Sequence, residues 1–122
     1  MTSVTSKQWG PTAWAEFHTY ALNYPIYPSE YDTNNAIHFY QRAFLRYVLC
    51  ETCKSDYLAI IRTNLIRARS RDELFNWTVD IHNSVNAKIG KPIMPYRKAY
   101  QIWNYGETHI IDKFNDSFVS YY

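Results

Sequence analysis

Apolar side chains recur every three or four residues along most of this chain. Four such stripes are present: Trp14, Phe17, Ala21 and Leu22; Ile37, Tyr40, Phe44, Leu45 and Val48; Leu58, Ile61 and Leu65; and Leu74, Trp77, Ile81 and Val85. This spacing gathers the apolar groups on one face of an α-helix. No segment shows the sustained alternation of apolar and polar residues that is typical of a half-buried strand. The sequence therefore predicts an all-α protein.

Capping and turn residues divide the stripes into separate helices. Pro11 suits the first turn of the first helix, because its φ is fixed and it has no N–H. Residues 70–73, Ser-Arg-Asp-Glu, predict a capping box at the start of the fourth helix, and Gly90 ends that helix. A shorter fifth helix begins at Pro95 and runs to Trp103 or Tyr105. Four helices with short connections predict a four-helix bundle, with the fifth helix covering one end.

The composition excludes several classes of protein. A chain of 122 residues, 47% of them hydrophobic, has the size and apolar content of one globular domain and is not a disordered segment. The net charge of +2 is too small to indicate nucleic-acid binding, and the arginines between positions 62 and 71 fit a solvated helix end. No apolar run is long enough for a membrane helix, and the first residues lack the apolar segment of a secretory signal. We therefore expect a soluble, cytoplasmic domain.

The two cysteines, Cys50 and Cys53, lie within one helical turn of each other. A disulfide that closes so short a loop removes little chain entropy, so a structural staple explains the pair poorly. The pair falls where the second helix ends and the third begins, and a helix N-terminus favours the thiolate form of cysteine. This position favours a redox-active dithiol. A metal-binding pair and two inert cysteines are the alternatives, although the scattered histidines supply no second close pair of zinc ligands.

Polar residues also interrupt the fourth helix. His82, Asn83 and Asn86 lie within about one turn of each other, beside the apolar stripe. Asparagine and histidine are mediocre helix formers, so a ligand that uses their hydrogen bonds would explain them, whereas a solvated face is the alternative. Lys88 and Lys91 follow and are suited to holding a phosphate. The pattern alone favours a ligand site only slightly.

Trp14 and His18 form a third group, one turn apart on the first helix. By themselves they are more typical of a core tryptophan beside a hydrogen-bonded histidine. Together with the other two groups, however, they make the chain resemble the Erv/ALR family of FAD-linked sulfhydryl oxidases. The residues that carry this resemblance are Trp9-Gly10-Pro11 with Trp14 and His18, then Cys50-x-x-Cys53, then Trp77 with His82-Asn83-x-Val85-Asn86-x-x-Ile89-Gly90-Lys91-Pro92, and finally Trp103.

The resemblance implies a five-helix bundle that binds FAD at its mouth and forms a homodimer. It assigns residues 9–106 to the oxidase domain, residues 1–8 to an N-terminal tail and residues 107–122 to a C-terminal tail. Cys53 is expected to be the sulfur next to the flavin, and Cys50 the sulfur that exchanges with substrate thiols. The residues expected to bind FAD are Gly10, Trp14, His18, Tyr24, Cys53, His82, Asn83, Val85, Asn86, Lys88, Lys91 and Trp103.

Several positions depart from the cellular members of that family. Cellular members have a further structural disulfide at two positions that are Val79 and Tyr96 here, so we expect the fifth helix to be held by packing alone. Asn23 replaces a tyrosine near the adenine, although Tyr24 follows it. The chain also has no second CxxC pair that could pass electrons to Cys50. In this compact form it looks most like the short oxidases of large cytoplasmic DNA viruses.

The function that the resemblance implies is FAD-dependent thiol oxidation. Substrate thiols would become disulfides, and the electrons would pass through the Cys50–Cys53 disulfide and the flavin to O2, giving H2O2. The expected partner is a small CxxC-containing protein, thioredoxin-like or viral, and no nucleic acid or metal is expected. The expected setting is the host cytoplasm and the virion. Two alternatives remain, a flavin-free helical interaction module and a zinc-binding adaptor that uses the CxxC.

Overall fold

The computed structural model describes residues 6–105, and the regular structure in this range is entirely helical. The elements are α1 Ser6–Leu22, α2 Glu30–Gln41, a 3₁₀ helix Ala43–Tyr47, α3 Glu51–Thr63, α4 Arg71–Lys88 and α5 Tyr96–Tyr105. The prediction of an all-α bundle with a short fifth helix is confirmed. The predicted C-terminal tail, 107–122, lies outside the described residues. Within 6–105, no helix has both the length and the apolar character needed to cross a membrane.

Two of the predicted helix boundaries are wrong. Helix α1 begins at Ser6, inside the predicted N-terminal tail, so Pro11 lies in the second turn of the helix and not in the first. A proline so close to the start of a helix removes only one early hydrogen bond. The second apolar stripe does not form one helix, because α2 ends at Gln41 and Arg42 leaves the helical conformation with φ −133°. The 3₁₀ helix that follows keeps Phe44 buried after the change of direction.

Side-chain caps explain where three of the helices begin. Ser29 and Asp32 form a complete capping box at the start of α2, which the sequence analysis did not identify. Ser70 accepts a hydrogen bond from the backbone N–H of Glu73 at 3.1 Å, so the predicted start of α4 is confirmed. The reciprocal half of that capping box is replaced, because the Glu73 carboxylate pairs with Arg69 at 3.2 Å. The third helix with a side-chain cap is α3, whose cap belongs to the functional site.

Phe17 of α1 lies at the centre of an aromatic core. Its ring is fully buried, and six aromatic rings lie around it at centroid distances of 4.8 to 5.9 Å: Trp14, His18, Tyr40, Phe44, Tyr57 and Trp77. The buried hydroxyl of Tyr40 donates to the Phe17 carbonyl at 2.8 Å, and that of Tyr57 donates to the Tyr40 carbonyl at 2.6 Å. Because both hydroxyls have acceptors, these tyrosines are stable in the interior of the bundle.

Polar contacts hold α5 against α4, so the expectation that packing alone would hold it is wrong. The Tyr96 hydroxyl donates to one Asp80 oxygen at 2.5 Å, and Arg67 bonds the other oxygen at 2.6 Å. The Asn83 side chain makes two hydrogen bonds of 2.8 Å with the backbone of Met94, one to its carbonyl and one from its N–H. These contacts fix the loop between the two helices and therefore the position of α5.

Candidate cofactor and dithiol site

Cys50 caps the N-terminus of α3 with its sulfur. Its backbone is extended, with φ −148° and ψ 120°, and its Sγ accepts a hydrogen bond from the backbone N–H of Cys53 at 3.2 Å. This is the position and the contact that Ser or Asp usually provides at the start of a helix. Both thiols are free and partly exposed. The CxxC spacing therefore places one sulfur at the helix end and the other within the first turn.

The two thiols have opposite acidities. The pKa of Cys50 is lowered, mainly because the Cys53 thiol donates a hydrogen bond to its sulfur and also because the Cys53 backbone N–H does so. The pKa of Cys53 is raised to about 11, first by burial and then because it donates to the neighbouring sulfur. A negative charge on Asp56 raises the pKa of both thiols. In the reduced pair, Cys50 is therefore the sulfur that carries the thiolate.

A cavity of about 340 Å³ opens between α1, α3 and α4. Cys53 lines this cavity, whereas Cys50 is not among the lining residues. The two cysteines therefore lie in different environments, one at the cavity and one outside its lining. The remaining lining residues are mostly apolar or aromatic: Trp9, Gly10, Ala13, Trp14, Phe44, Val48, Asp56, Tyr57, Ile60, Val85, Lys88, Ile89 and Lys91. A mostly apolar cavity with a few polar groups is typical of a cofactor site.

The polar groups of this cavity fit FAD. The indole N–H of Trp9 is buried and has no acceptor among residues 6–105, so a ligand with acceptor atoms would satisfy it. The isoalloxazine ring and the phosphates of FAD carry such atoms. Lys88 and Lys91 add positive charge to the lining, which suits the pyrophosphate. The donor set and the apolar walls therefore match the cofactor that the family resemblance implied.

A stack of four rings lies behind the cavity wall. The Trp14 ring, which lines the cavity, is 3.5 Å from the centroid of His82 and nearly parallel to it, at 8°. His82 lies 5.0 Å from His18, which lies 4.6 Å from Trp103 of α5. His18 Nε2 and His82 Nδ1 are 2.7 Å apart, and His18 Nδ1 is 3.0 Å from the Thr78 hydroxyl. Burial lowers the pKa of His18 to about 3, so this ring is neutral.

One family of proteins matches most of this arrangement. Residues 11–104 match the Erv1/Alr family, a range that includes the CxxC pair, the ring stack and most of the cavity lining. The chain belongs to the Erv1/Alr family. The expectation that the sequence motifs raised is therefore confirmed.

Known relatives of this Erv1/Alr chain include viral and cellular proteins. Protein 347L of Invertebrate iridescent virus 6, whose name gives FAD-linked sulfhydryl oxidase as a provisional function, is 33% identical over an alignment of 116 residues that covers 86% of this chain and 100% of 347L. The mitochondrial FAD-linked sulfhydryl oxidase ERV1 of Saccharomyces cerevisiae is 33% identical over 86 residues, 70% of this chain and 45% of that protein. The crystal structure of the FAD binding domain of yeast Erv1 superposes with a TM-score of 0.77 at 29% identity, covering 84% of this chain and 97% of that one.

The structure places most of the predicted site residues of the Erv1/Alr chain in or beside the cavity. Six of them line it: Gly10, Trp14, Cys53, Val85, Lys88 and Lys91. His18, His82 and Trp103 form the ring stack behind Trp14. That each of these residues contacts FAD stays a prediction.

The other three predicted residues belong neither to the cavity lining nor to the ring stack. Tyr24 follows the far end of α1, where its hydroxyl donates to the Ala68 carbonyl at 2.7 Å. Asn83 bonds the Met94 backbone, as described above. Asn86 holds the same loop, because its side chain donates to the Pro92 carbonyl at 3.2 Å and its backbone carbonyl accepts from the Lys91 backbone N–H at 2.7 Å. Asn86 therefore holds the backbone of Lys91, whose side chain lines the cavity. A direct contact between Asn86 and FAD stays a prediction.

The sequence analysis did not identify several residues of the lining. Asp56, Tyr57 and Ile60 follow Cys53 at intervals of three and four, so they share its face of α3. That spacing would have indicated them once Cys53 was placed against a cofactor. Phe44 and Val48 reach the cavity because of the break after α2, and no local pattern in the sequence indicates that break.

Proposed function

We propose that this chain is an FAD-dependent thiol oxidase that converts two thiols into a disulfide and reduces O2 to H2O2. The observation that carries the proposal is the placement of Cys53 in the lining of the cavity, while Cys50 caps the helix outside that lining. The dithiol thus connects the surface of the protein with a cofactor cavity. Atoms and electrons balance as two R–SH and O2 giving R–S–S–R and H2O2.

Thiol exchange begins at Cys50 in the oxidised enzyme. A substrate thiolate attacks the Cys50 sulfur of the Cys50–Cys53 disulfide, because a cofactor in the cavity would block the approach to Cys53. The Cys53 sulfur leaves as a thiolate next to the cavity. The mixed disulfide also removes the Cys50 thiolate, which is one of the causes that raise the pKa of Cys53. The pKa of Cys53 is therefore lower in the mixed disulfide than in the reduced dithiol, so its thiolate forms more readily.

The second substrate thiol then resolves the mixed disulfide. It attacks the substrate sulfur, the product disulfide forms, and Cys50 leaves as a thiolate. The hydrogen bonds that lower the pKa of Cys50 make it a good leaving group, since a thiol of lower pKa leaves faster. The enzyme is left with a reduced Cys50 and Cys53 pair.

FAD, when bound, accepts the electron pair of the dithiol and passes it to O2. The chain contributes the apolar walls around Trp14 and Val85, the donor of Trp9, and the ammonium groups of Lys88 and Lys91. These groups orient the cofactor and shield it from water.

The proposed partners are a second copy of this chain and a small protein with its own CxxC. Tyr20 of α1 and Phe39 of α2 stack at 4.2 Å and remain partly exposed, which supports a dimer through these helices. Tyr24 and Tyr40 are buried in the chain's own core, so they do not contribute to that surface. The viral relatives support a host cytoplasm as the setting.

A visible spectrum of the purified protein is the first test of this function. Flavin absorbance, together with O2 consumption when a small dithiol is added, is the expected result. A colourless protein that oxidises no thiol would favour the flavin-free interaction module. The zinc-binding adaptor requires a ligand set, and no group of three potential metal ligands occurs among residues 6–105. Analysis of bound metal checks that alternative directly.

A further inference from the structure

An open groove of about 670 Å³ lies between the 3₁₀ helix and α3, and the steps described above do not use it. We call it the α3 groove. Its walls include four apolar side chains and two arginines: Leu45, Leu58, Ile61, Leu65, Arg42 and Arg62. None of these residues lines the cofactor cavity. The α3 groove is therefore a separate surface of the same helix.

Helix α3 separates the groove from the cofactor cavity. The cavity residues of α3 begin with Cys53 and recur every three or four residues. The groove residues of the helix are Leu58, Ile61 and Arg62. At about 100° per residue, the two sets lie on nearly opposite sides of α3. Cys50 lies at the N-terminal end of the helix, where both sides begin. A molecule that exchanges with Cys50 can therefore lie along the groove while FAD fills the cavity.

The surface of the α3 groove combines exposed leucine with unpaired positive charge. Leu65 is 77% exposed, and Leu49, next to Cys50, is 53% exposed. Arg42 and Arg62 are both exposed, and neither pairs with a carboxylate within residues 6–105. Exposed apolar side chains beside unpaired arginines are complementary to a protein segment with apolar and acidic side chains.

We propose that the α3 groove docks the thiol substrate through a substrate segment that carries apolar and acidic side chains. The inference rests on the proposed function, because it requires exchange at Cys50. Along the helix axis, Leu58 and Arg62 stand about 12 and 18 Å from Cys50, at 1.5 Å per residue. An extended chain spans about 3.3 Å per residue, so this segment lies about four to six residues from the reactive cysteine of the substrate.

The test measures O2 consumption by the FAD-loaded full chain with two peptides. Each peptide carries a CxxC pair and, about five residues away on both sides, two leucines that are flanked by glutamates in one peptide and by lysines in the other. We expect the wild type to oxidise the glutamate peptide with the higher kcat/KM. In Arg42→Gln/Arg62→Gln this preference should fall about threefold to tenfold, mainly through KM, because two exposed charge pairs are lost.

Two further variants separate docking from general effects. Arg46→Gln/Arg97→Gln is the matched control, because it removes the same charge from two exposed arginines that do not line the groove. Its preference for the glutamate peptide should equal that of the wild type. Leu65→Ser should raise KM for both peptides, since it removes a groove side chain that is too exposed to contribute much to the core. Oxidation of dithiothreitol, which is too small to span the groove, should be unchanged in every variant.

Equal kcat/KM values for the two peptides in the wild type would overturn the inference. An equal loss of preference in the two double variants would also overturn it, because net charge alone would then explain the preference. A change from dimer to monomer in Arg42→Gln/Arg62→Gln, measured by light scattering, would instead assign the groove to a second copy of the chain.

A fall in KM for the glutamate peptide in Asp112→Asn/Asp116→Asn would overturn the inference in another way, because it would assign the groove to the C-terminal residues of this chain. Failure of the proposed function is a different result. A wild-type protein without flavin absorbance and without dithiothreitol oxidation would reveal that failure, whereas the docking inference is judged on the two peptides alone.

Discussion

Lys88 of α4 and Asp56 of α3 form an ion pair of 3.2 Å, and both side chains line the cavity that Cys53 also lines. Asp56 follows Cys53 by three residues, so its carboxylate lies on the same face of α3. Its charge raises the pKa of both thiols. Lys88 stands beside this carboxylate and offsets part of its effect. The pair thus connects the lysine expected to hold a phosphate with the acidity of the dithiol.

Asp56→Asn should make both thiols more acidic. Removing the negative charge favours the thiolate, so the pH profile for alkylation of the reduced protein should shift to lower pH. Alkylation rates, resolved for Cys50 and Cys53 by peptide mass spectrometry, measure the shift. Glu51→Gln is the matched control, because Glu51 is an exposed carboxylate that pairs with Lys54 at 3.4 Å. Equal profiles for the two variants would show that Asp56 does not set the thiol acidity.

Substitution of the two cysteines should have unequal effects. Cys53→Ser should abolish turnover with a small dithiol while FAD stays bound, because the sulfur in the cavity lining is gone and the lining is otherwise intact. Cys50→Ser also removes the disulfide, but it leaves Cys53 beside the flavin. Loss of the Cys50 thiolate removes one cause of the high pKa of Cys53, so a thiolate should form there and give a long-wavelength absorbance band.

The spectra and the activities of these two variants check the assignment of roles. Full dithiol oxidase activity in Cys50→Ser would contradict it, as would a long-wavelength band in Cys53→Ser but not in Cys50→Ser. A Cys53→Ser protein that is mixed with an oxidised substrate should also retain a mixed disulfide, because the Cys50 thiolate attacks the substrate disulfide, one substrate sulfur leaves as a thiolate, and no internal thiol can then release Cys50.

Local patterns in the sequence were enough to predict the helices but not how they meet. The stripe from Leu74 to Val85 and the cap at Ser70 predicted α4 correctly, since period and cap both act within a few residues. The break at Arg42 was missed, because the apolar spacing continues across it into Phe44. Its cause is the packing of that ring against Phe17 and Tyr57, a contact between distant parts of the chain.

The site was predicted through the family resemblance, whereas its geometry depends on long-range contacts. Cys53 and Lys91 reach the same cavity, as the resemblance implied. No pattern in the sequence indicated that Asn83 would bond the backbone of Met94, because a helical pattern does not indicate what the following loop will contact. Likewise, the buried contact between His18 and Thr78 joins two residues that are sixty positions apart in the chain.

Trp9→Phe should weaken FAD binding while keeping the aromatic wall of the cavity. The indole N–H is a buried donor whose acceptor would be the cofactor, and such a hydrogen bond contributes about 0.5 to 1.5 kcal/mol. The FAD dissociation constant should therefore rise about twofold to tenfold. Trp77→Phe is the control, because the Trp77 N–H donates to the Asn64 carbonyl at 2.9 Å and the residue does not line the cavity.

The control should lower the melting temperature and leave the affinity for FAD unchanged, because Trp77 is a fully buried core residue. Titration of the protein with FAD, followed by flavin fluorescence, measures both affinities. Equal loss of affinity in the two variants would mean that general destabilisation explains the effect. In that case the Trp9 N–H would have no specific role in binding the cofactor.

Tyr96→Phe should loosen α5 in a way that depends on pH and not on reducing agents. The variant loses the hydrogen bond from Tyr96 to Asp80, so the free energy of unfolding should fall by about 0.5 to 1 kcal/mol at pH 7. This is the low end of the usual range for a hydrogen bond, because the Tyr96 side chain is 47% exposed and water screens the contact. The bond to Asp80 raises the pKa of Tyr96, so its stabilisation is complete below the usual tyrosine value of about 10 and is lost as the pH rises through the higher folded value. The difference between wild type and variant should therefore shrink in alkaline solution, and a reductant should not alter it, because the contact contains no sulfur.

Urea unfolding at pH 7 and above pH 10 measures the difference in the free energy of unfolding, with Tyr27→Phe as the control for a tyrosine that is 93% exposed. A difference that stays constant across this pH range would show that the Tyr96 hydroxyl does not hold the helix.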